Sequence, residues 1–209
     1  MQVQTRHCPG AGVARVQLKS GESIIAAMGT MVASSYGVTA QPGGKSRKRT
    51  QIFSSPEGGG WLDLAPQLPG DIHVSMLDGT VGWCIARGSC LAYVETVSIE
   101  TQWGGFRSLF GGEGGFLTHA TGSGPLVLSS YGALDVITLA AGELVTVDTG
   151  HLVAYSDGVQ SRIRALNPGM PESLKTGEGL VFDFAGPGRV LVQSRNPRAL
   201  VDWLRLNGS

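Results

Sequence analysis

Hydrophobic and polar residues alternate in short runs along most of this chain. Val13, Arg15 and Gln17 face away from Val16 and Leu18, and Val145 and Val147 alternate with Thr146 and Asp148. A period of two is the signature of a strand with one face covered. Val190, Leu191 and Val192 form a denser apolar run, which predicts a strand buried on both faces. Glycine beside Asp or Ser closes many runs, as at Asp78-Gly79 and Asp157-Gly158, in the manner of hairpin turns. Only the C-terminus has helical spacing. Asn196 can cap, Pro197 suits the first helical position, and Leu200, Trp203 and Leu204 fall on one face that Val201 widens. A short helix over 197–206 is predicted, covering an end or open edge of the β-structure.

The glycines also recur. Gly21, Gly29 and Gly37 are spaced by eight residues, as are Gly142, Gly150 and Gly158, and a weaker copy runs from Gly79 to Gly88. The element Gly-x-Gly-x-φ-x-φ (φ apolar) appears three times, beginning at Gly58, Gly122 and Gly186. Fixed-period similarity means one structural unit used repeatedly. The reading is mostly β: three tandem β-sandwich or double-stranded β-helix-like units at about 12–70, 71–133 and 134–195. They would form one compact domain over 1–209 with pseudo-threefold arrangement, plus the helix at 197–206.

Composition sharpens this. Glycine is 32 of 209 residues and charged residues are 15%, so the chain is turn-rich and weakly charged. Sixteen basic residues balance sixteen acidic ones, which leaves no global field for nucleic acid and favours self-association. Basic residues do not interleave with aromatic ones along any strand, so nucleic acid is not an expected partner. The N-terminus lacks an apolar signal core and no apolar run reaches ~20 residues. A cytoplasmic protein, or a mitochondrial one in a eukaryote, is expected.

Candidate chemistry is sparse. Cys8, Cys84 and Cys90 show no Cys-x-x-Cys spacing, and they read as small apolar residues in a reducing compartment. His7, His73, His119 and His151 include no His-x-His pair, so no metal site is assigned. Gly43-Gly44-Lys45-Ser46 lacks the earlier glycine and the following helix of a phosphate loop. Ser129 and Ser130 lack a hydrolase elbow. Asp148-Thr149-Gly150 has no second aspartate in the matching repeat and reads as a turn. Glu22 and Glu143 recur after Gly21 and Gly142, and Glu113 and Glu178 recur between glycines, which predicts repeated turn hydrogen bonds. Trp61, Trp83 and Trp103 read as core or interface anchors. Lys45, Arg47, Lys48 and Arg49 form the only charge run, a candidate for salt-sensitive contact with an anionic surface. No catalytic residue and no cofactor are assigned.

Several phrases carry a family resemblance: Leu68-Pro69-Gly70-Asp71, Arg87-Gly88-Ser89-Cys90, Ser129-Ser130-Tyr131-Gly132 and Val147-Asp148-Thr149-Gly150-His151. Leu109-Phe110-Gly111-Gly112-Glu113, Gly177-Glu178-Gly179-Leu180 and Gly186-Pro187-Gly188-Arg189 add to them. Over about 12–206 the chain resembles the altered-inheritance-of-mitochondria family. The segment Lys45–Gln51 departs from the family pattern. The resemblance implies a fold like that of the tryptophan RNA-binding attenuator protein, assembly into rings or trimers, and no catalytic residues. It also implies a link to inner-membrane organisation among mitochondrial relatives. The expectation is a non-enzymatic scaffold or interaction protein, a homotrimer with a protein partner or membrane surface. The alternative is a module binding a small molecule, metal or RNA.

Overall fold

The structure, a computed structural model, describes residues 1–44, 49–101, 117–166 and 179–208. It is mostly β, with eighteen strands and one α-helix among the described residues. The chain divides into two compact units. The first holds Met1–Thr80, Gly88–Ser98 and Thr121–Leu134, and the second holds Val81–Arg87, Ile99–Ala120 and Asp135–Ser209. None of the sheets closes into a barrel among the described residues.

In the first unit, β1 (Gln2–Arg6), β2 (Val13–Leu18), β7 (Gly60–Leu64) and β4 (Met31–Ser34) form one sheet in that order. A second run joins β5 (Thr39–Pro42), β6 (Thr50–Ser54), β3 (Ser23–Ala27) and β10 (Cys90–Tyr93) to the later part of β12 (Leu117–Ser129). β8 (Ile72–Asp78) pairs with the same part of β12. The alternation read in β2 holds. Ala14, Val16 and Leu18 are buried and pack with Ile24, Phe53, Leu62 and Leu64 in this unit's core.

The second unit has its own core of Leu117, Leu152, Tyr155, Phe182, Phe184 and Val190. Its strands β13 (Leu134–Leu139), β18 (Gly188–Gln193), β15 (Leu152–Ser156) and β9 (Trp83–Ala86) lead to the start of β12. β11 (Val97–Thr101) also pairs with β12. A separate sheet orders β14 (Leu144–Asp148), β17 (Leu180–Ala185) and β16 (Gln160–Ala165). Val190 and Leu191 are both buried, so β18 is covered on both faces as its apolar run predicts.

The repeated glycines and glutamates have structural work. A Cβ on Gly124 would lie 2.6 Å from Val94 Cγ2, and one on Gly188 would lie 2.5 Å from Val159 Cγ2 and 2.7 Å from Ser156 Oγ. A Cβ on Gly60 would meet Ser35 Oγ and Val38 Cγ2. Each motif glycine lets its strand pass directly over a neighbouring turn. Glu22 Oε2 accepts from Lys19 N at 2.8 Å, and Glu143 Oε2 accepts from Ala140 N at 2.7 Å. These are the matching turn hydrogen bonds that the recurrence predicts. Asp148 accepts from Gly150 N at 2.8 Å at the head of a 3-10 turn, the structural role read for it.

One buried carboxylate braces the first unit. Asp63, 5% exposed, accepts from Arg15 Nε and Nη2, both at 2.8 Å, and from Arg6 Nη2 at 2.6 Å. Arg15 also lies 4.2 Å over the Trp61 ring. The Arg15 hydrogen bonds, then the charges of Arg15 and Arg6, hold the Asp63 carboxyl below its ordinary range. Its stabilising effect is complete above the unfolded carboxyl pKa of ~3.9 and is lost as pH falls through the lower folded value. Asp63→Asn should cost about 1.5–3 kcal/mol at neutral pH, because charge-assisted hydrogen bonds are lost. Its stability should also fall less steeply than the wild type's below about pH 4, as urea unfolding across that range will show.

The C-terminal helix α1 (Pro197–Asn207) begins as predicted, with the Asn196 side chain accepting from Arg198 N at 2.9 Å. Its packing differs from the expectation. No helix residue is buried, and Val201, Trp203, Leu204 and Leu206 are all exposed. The root is fixed instead: Gln193 Nε2 donates to Gly150 O at 3.0 Å, and His151 Nδ1 donates to Gln193 O at 2.8 Å. The segment leading into the helix is therefore tied at Gln193, while no residue of the helix itself is buried. No helix among the described residues is long and apolar enough to cross a membrane.

Candidate functional site

Three strands of the second unit bring together side chains that are 35–73 positions apart in sequence. In β9·β12 the register places His119 opposite Cys84, and in β15·β9 it places Tyr155 opposite Cys84. Directly paired residues point to the same face, so His119, Cys84 and Tyr155 form one row across three strands. Asp157 follows β15 and turns back onto the row. His119 Nε2 lies 2.8 Å from Asp157 Oδ1, and Gly82 N donates to Asp157 Oδ2 at 2.9 Å. The ligand-capable atoms of Cys84, His119 and Asp157 all lie within 4.8 Å of one another.

The row runs from core to rim. Cys84 is 5% exposed and packs with Tyr155 and Phe184, while the His119 and Asp157 side chains are 28% and 38% exposed. The Tyr155 hydroxyl lies 3.2 Å from Ser161 Oγ and also meets Cys84. Burial raises the Tyr155 pKa well above the ordinary phenol value. The phenol therefore stays protonated and can act as a donor. Gly82 forms the floor. A Cβ there would stand 2.6 Å from Asp157 Oδ2, 2.7 Å from Ala120 O and 2.8 Å from His119 Nε2.

Sequence reasoning assigned His119 to no site, read Cys84 as apolar and took Asp157-Gly158 as a turn. No local spacing joins the three; only strand register does. Among the described residues, the other candidates have roles of their own. Cys90 is desolvated, its thiol pKa pushed up to about 12, which keeps it an unreactive thiol. Ser130 Oγ accepts from Asp71 N at 3.1 Å and donates to Gly132 O at 2.9 Å, a structural pairing. His7 is exposed, and His151 is engaged at the helix root. Trp83 is buried, whereas Trp103 lies outside the described residues. Of the charge run, Lys45, Arg47 and Lys48 lie outside the described residues, as do Glu113 and Glu178. Arg49 is described: it has φ 64°, and its carbonyl accepts from Met28 N at 3.0 Å.

Two of the phrases that carried the resemblance, at 68–71 and 129–132, meet at one backbone feature. Gly70 and Gly132 form a parallel bridge, Gly132 N donates to Pro69 O at 2.9 Å, and Ser130 N donates to Asp71 O at 3.1 Å. The sequence profile of the mitochondrial biogenesis AIM24 family matches residues 3–195. The chain belongs to the AIM24 family. An uncharacterized protein of Streptococcus pyogenes serotype M6 is 36% identical over 155 residues, 73% of this chain. The aligned region spans 60% of that relative's length. A crystal structure of a Streptococcus pyogenes protein is similar at TM-score 0.80 and 26% identity, over 98% of both chains. The AIM24 match brings no catalytic assignment to Cys84, His119 or Asp157.

Proposed function

We propose that this AIM24-family protein is a non-enzymatic scaffold that associates with itself, as a homotrimer, through helix α1. The observation that carries the reading is the apolar face of α1, where Val201, Trp203, Leu204 and Leu206 are exposed beside a capped and anchored root. An amphipathic helix gains most of its stability by burying such a face. A chain with 15% charged residues and zero net charge offers little electrostatic resistance to association. The proposal places the protein in the cytoplasm, or in the mitochondrion of a eukaryote, with a role in membrane organisation drawn from the family link alone.

The same proposal takes the chain as three tandem units at 12–70, 71–133 and 134–195 in pseudo-threefold arrangement. Strand pairing supports it. β7 pairs with β2 and β4, β18 pairs with β13 and β15, and the later part of β12 pairs with β8 and β10. β6 pairs with β3 and β5, β17 with β14 and β16, and β12 with β9 and β11.

Sedimentation velocity tests the helix. Aromatic anchors at interfaces contribute ~2 kcal/mol or more, so Trp203→Ser with Leu204→Ser should weaken self-association at least ~30-fold. At concentrations where both proteins are dissociated, thermal unfolding should be unchanged, since neither side chain is buried within the chain. Unaltered association in that variant would refute the assignment of the helix.

A further inference from the structure

We propose that Cys84, His119 and Asp157 form a binding site for a divalent transition metal, with zinc the best fit. This inference is independent of the scaffold reading and rests on the geometry of the second unit. Thiolate, imidazole and carboxylate are the three side-chain donors that zinc accepts, and three protein ligands leave a fourth position for water or a small ligand. Hard cations such as calcium and magnesium take oxygen ligands and would not use the thiolate.

The atoms are close to the spacing required. Zinc bonds of ~2.0–2.3 Å in a tetrahedron set ligand atoms roughly 3.3–3.8 Å apart. Here they lie within 4.8 Å, with His119 Nε2 and Asp157 Oδ1 at 2.8 Å. Binding therefore parts the imidazole and carboxylate slightly and draws the thiolate inward. These shifts are within the reach of side-chain torsions, and the strand ladder stays in place. Cys84 gives up its thiol proton to solvent, and the Nε2 proton that His119 donates to Asp157 Oδ1 is also released, the remaining ring proton sitting on Nδ1, so that Nε2 can bind. One thiolate and one carboxylate then neutralise the dication, which suits a half-buried location.

The surroundings are those of a prepared site. Gly82 N donates to Asp157 Oδ2 and leaves Oδ1 turned to the row, the outer-shell orientation that metal carboxylates use. The floor at Gly82 has no room for a Cβ, so the ligand heads rest directly on backbone. The Tyr155 hydroxyl reaches Cys84 and can donate to its sulfur. His119 and Asp157 are partly exposed, giving the ion a path in, while Cys84 closes the inner end. A surface His–Asp pair would need neither the buried thiol nor the glycine floor.

The test uses the full chain without an affinity tag, freed of metal by a chelator and titrated with cobalt(II). One equivalent should bind per chain and give a sulfur-to-cobalt charge-transfer band in the near ultraviolet, which zinc then removes. Cys84→Ser should abolish the band, and Cys90→Ser should retain it. His119→Gln and Asp157→Asn change rim residues, so their folding can be checked by circular dichroism. Each should lower cobalt affinity at least tenfold. Failure of the wild type to bind, a band that survives Cys84→Ser, or affinity unchanged in both rim variants would overturn the proposal.

Discussion

Gly70→Ala should destabilise the protein by roughly 4 kcal/mol, the largest effect expected of a single methyl group here. A Cβ at Gly70 would collide with the Ser130 carbonyl oxygen, stand 2.7 Å from its carbonyl carbon and 3.3 Å from Gly132 N. Every one of these is backbone, so no side chain can swing away. The bridge between Gly70 and Gly132 would open, and with it the bonds from Gly132 N to Pro69 O and from Gly12 N to Gly70 O. Overpacking costs about 1–3 kcal/mol, and each buried backbone group left unpaired adds about 1–3. The melting temperature should fall by roughly 10 °C. Ala at Gly79, where a Cβ would meet nothing within 4 Å but φ is +88°, should cost far less, about 1–2 kcal/mol. Paired calorimetric scans of the two variants separate the clash from backbone strain.

Phe184→Ala should cost about 3–5 kcal/mol. Phe184 is fully buried, with its ring centroid 5.3 Å from Phe182 and 5.0 Å from Tyr155. Both partners lie in the same core as Leu117, Leu152 and Val190, so truncation leaves a void walled by strands on more than one side. Packing density near that of an organic crystal means the walls cannot close fully. Phe184→Leu keeps most of the volume and should lose less than half as much. Urea unfolding at fixed pH should show lower midpoints with unchanged slopes, since the surface exposed on unfolding is nearly the same.

The strands were legible because they follow a period of two. Ala14, Val16 and Leu18 point inward, and Arg15 points to Asp63, as the alternation required. The recurrent glutamates were legible as turn residues because a short-range hydrogen bond needs only its own loop. Helix α1 was legible in its cap and its span, since Asn196 and Pro197 act locally. Its burial was not: an apolar stripe says that a helix wants a partner, never which one. The Cys84, His119 and Asp157 row was illegible for a related reason. Its three members meet through the register of β9 with β12 and β15, which no spacing along the chain records. Likewise, the Gly70 phrase could be matched to a family without revealing that it bonds to the Ser130 phrase 60 residues away.

Light scattering on the intact chain across the micromolar range tests the central claim most directly. Self-association through α1 predicts a mass of three times 21.8 kDa. A mass of 21.8 kDa at every concentration would contradict it.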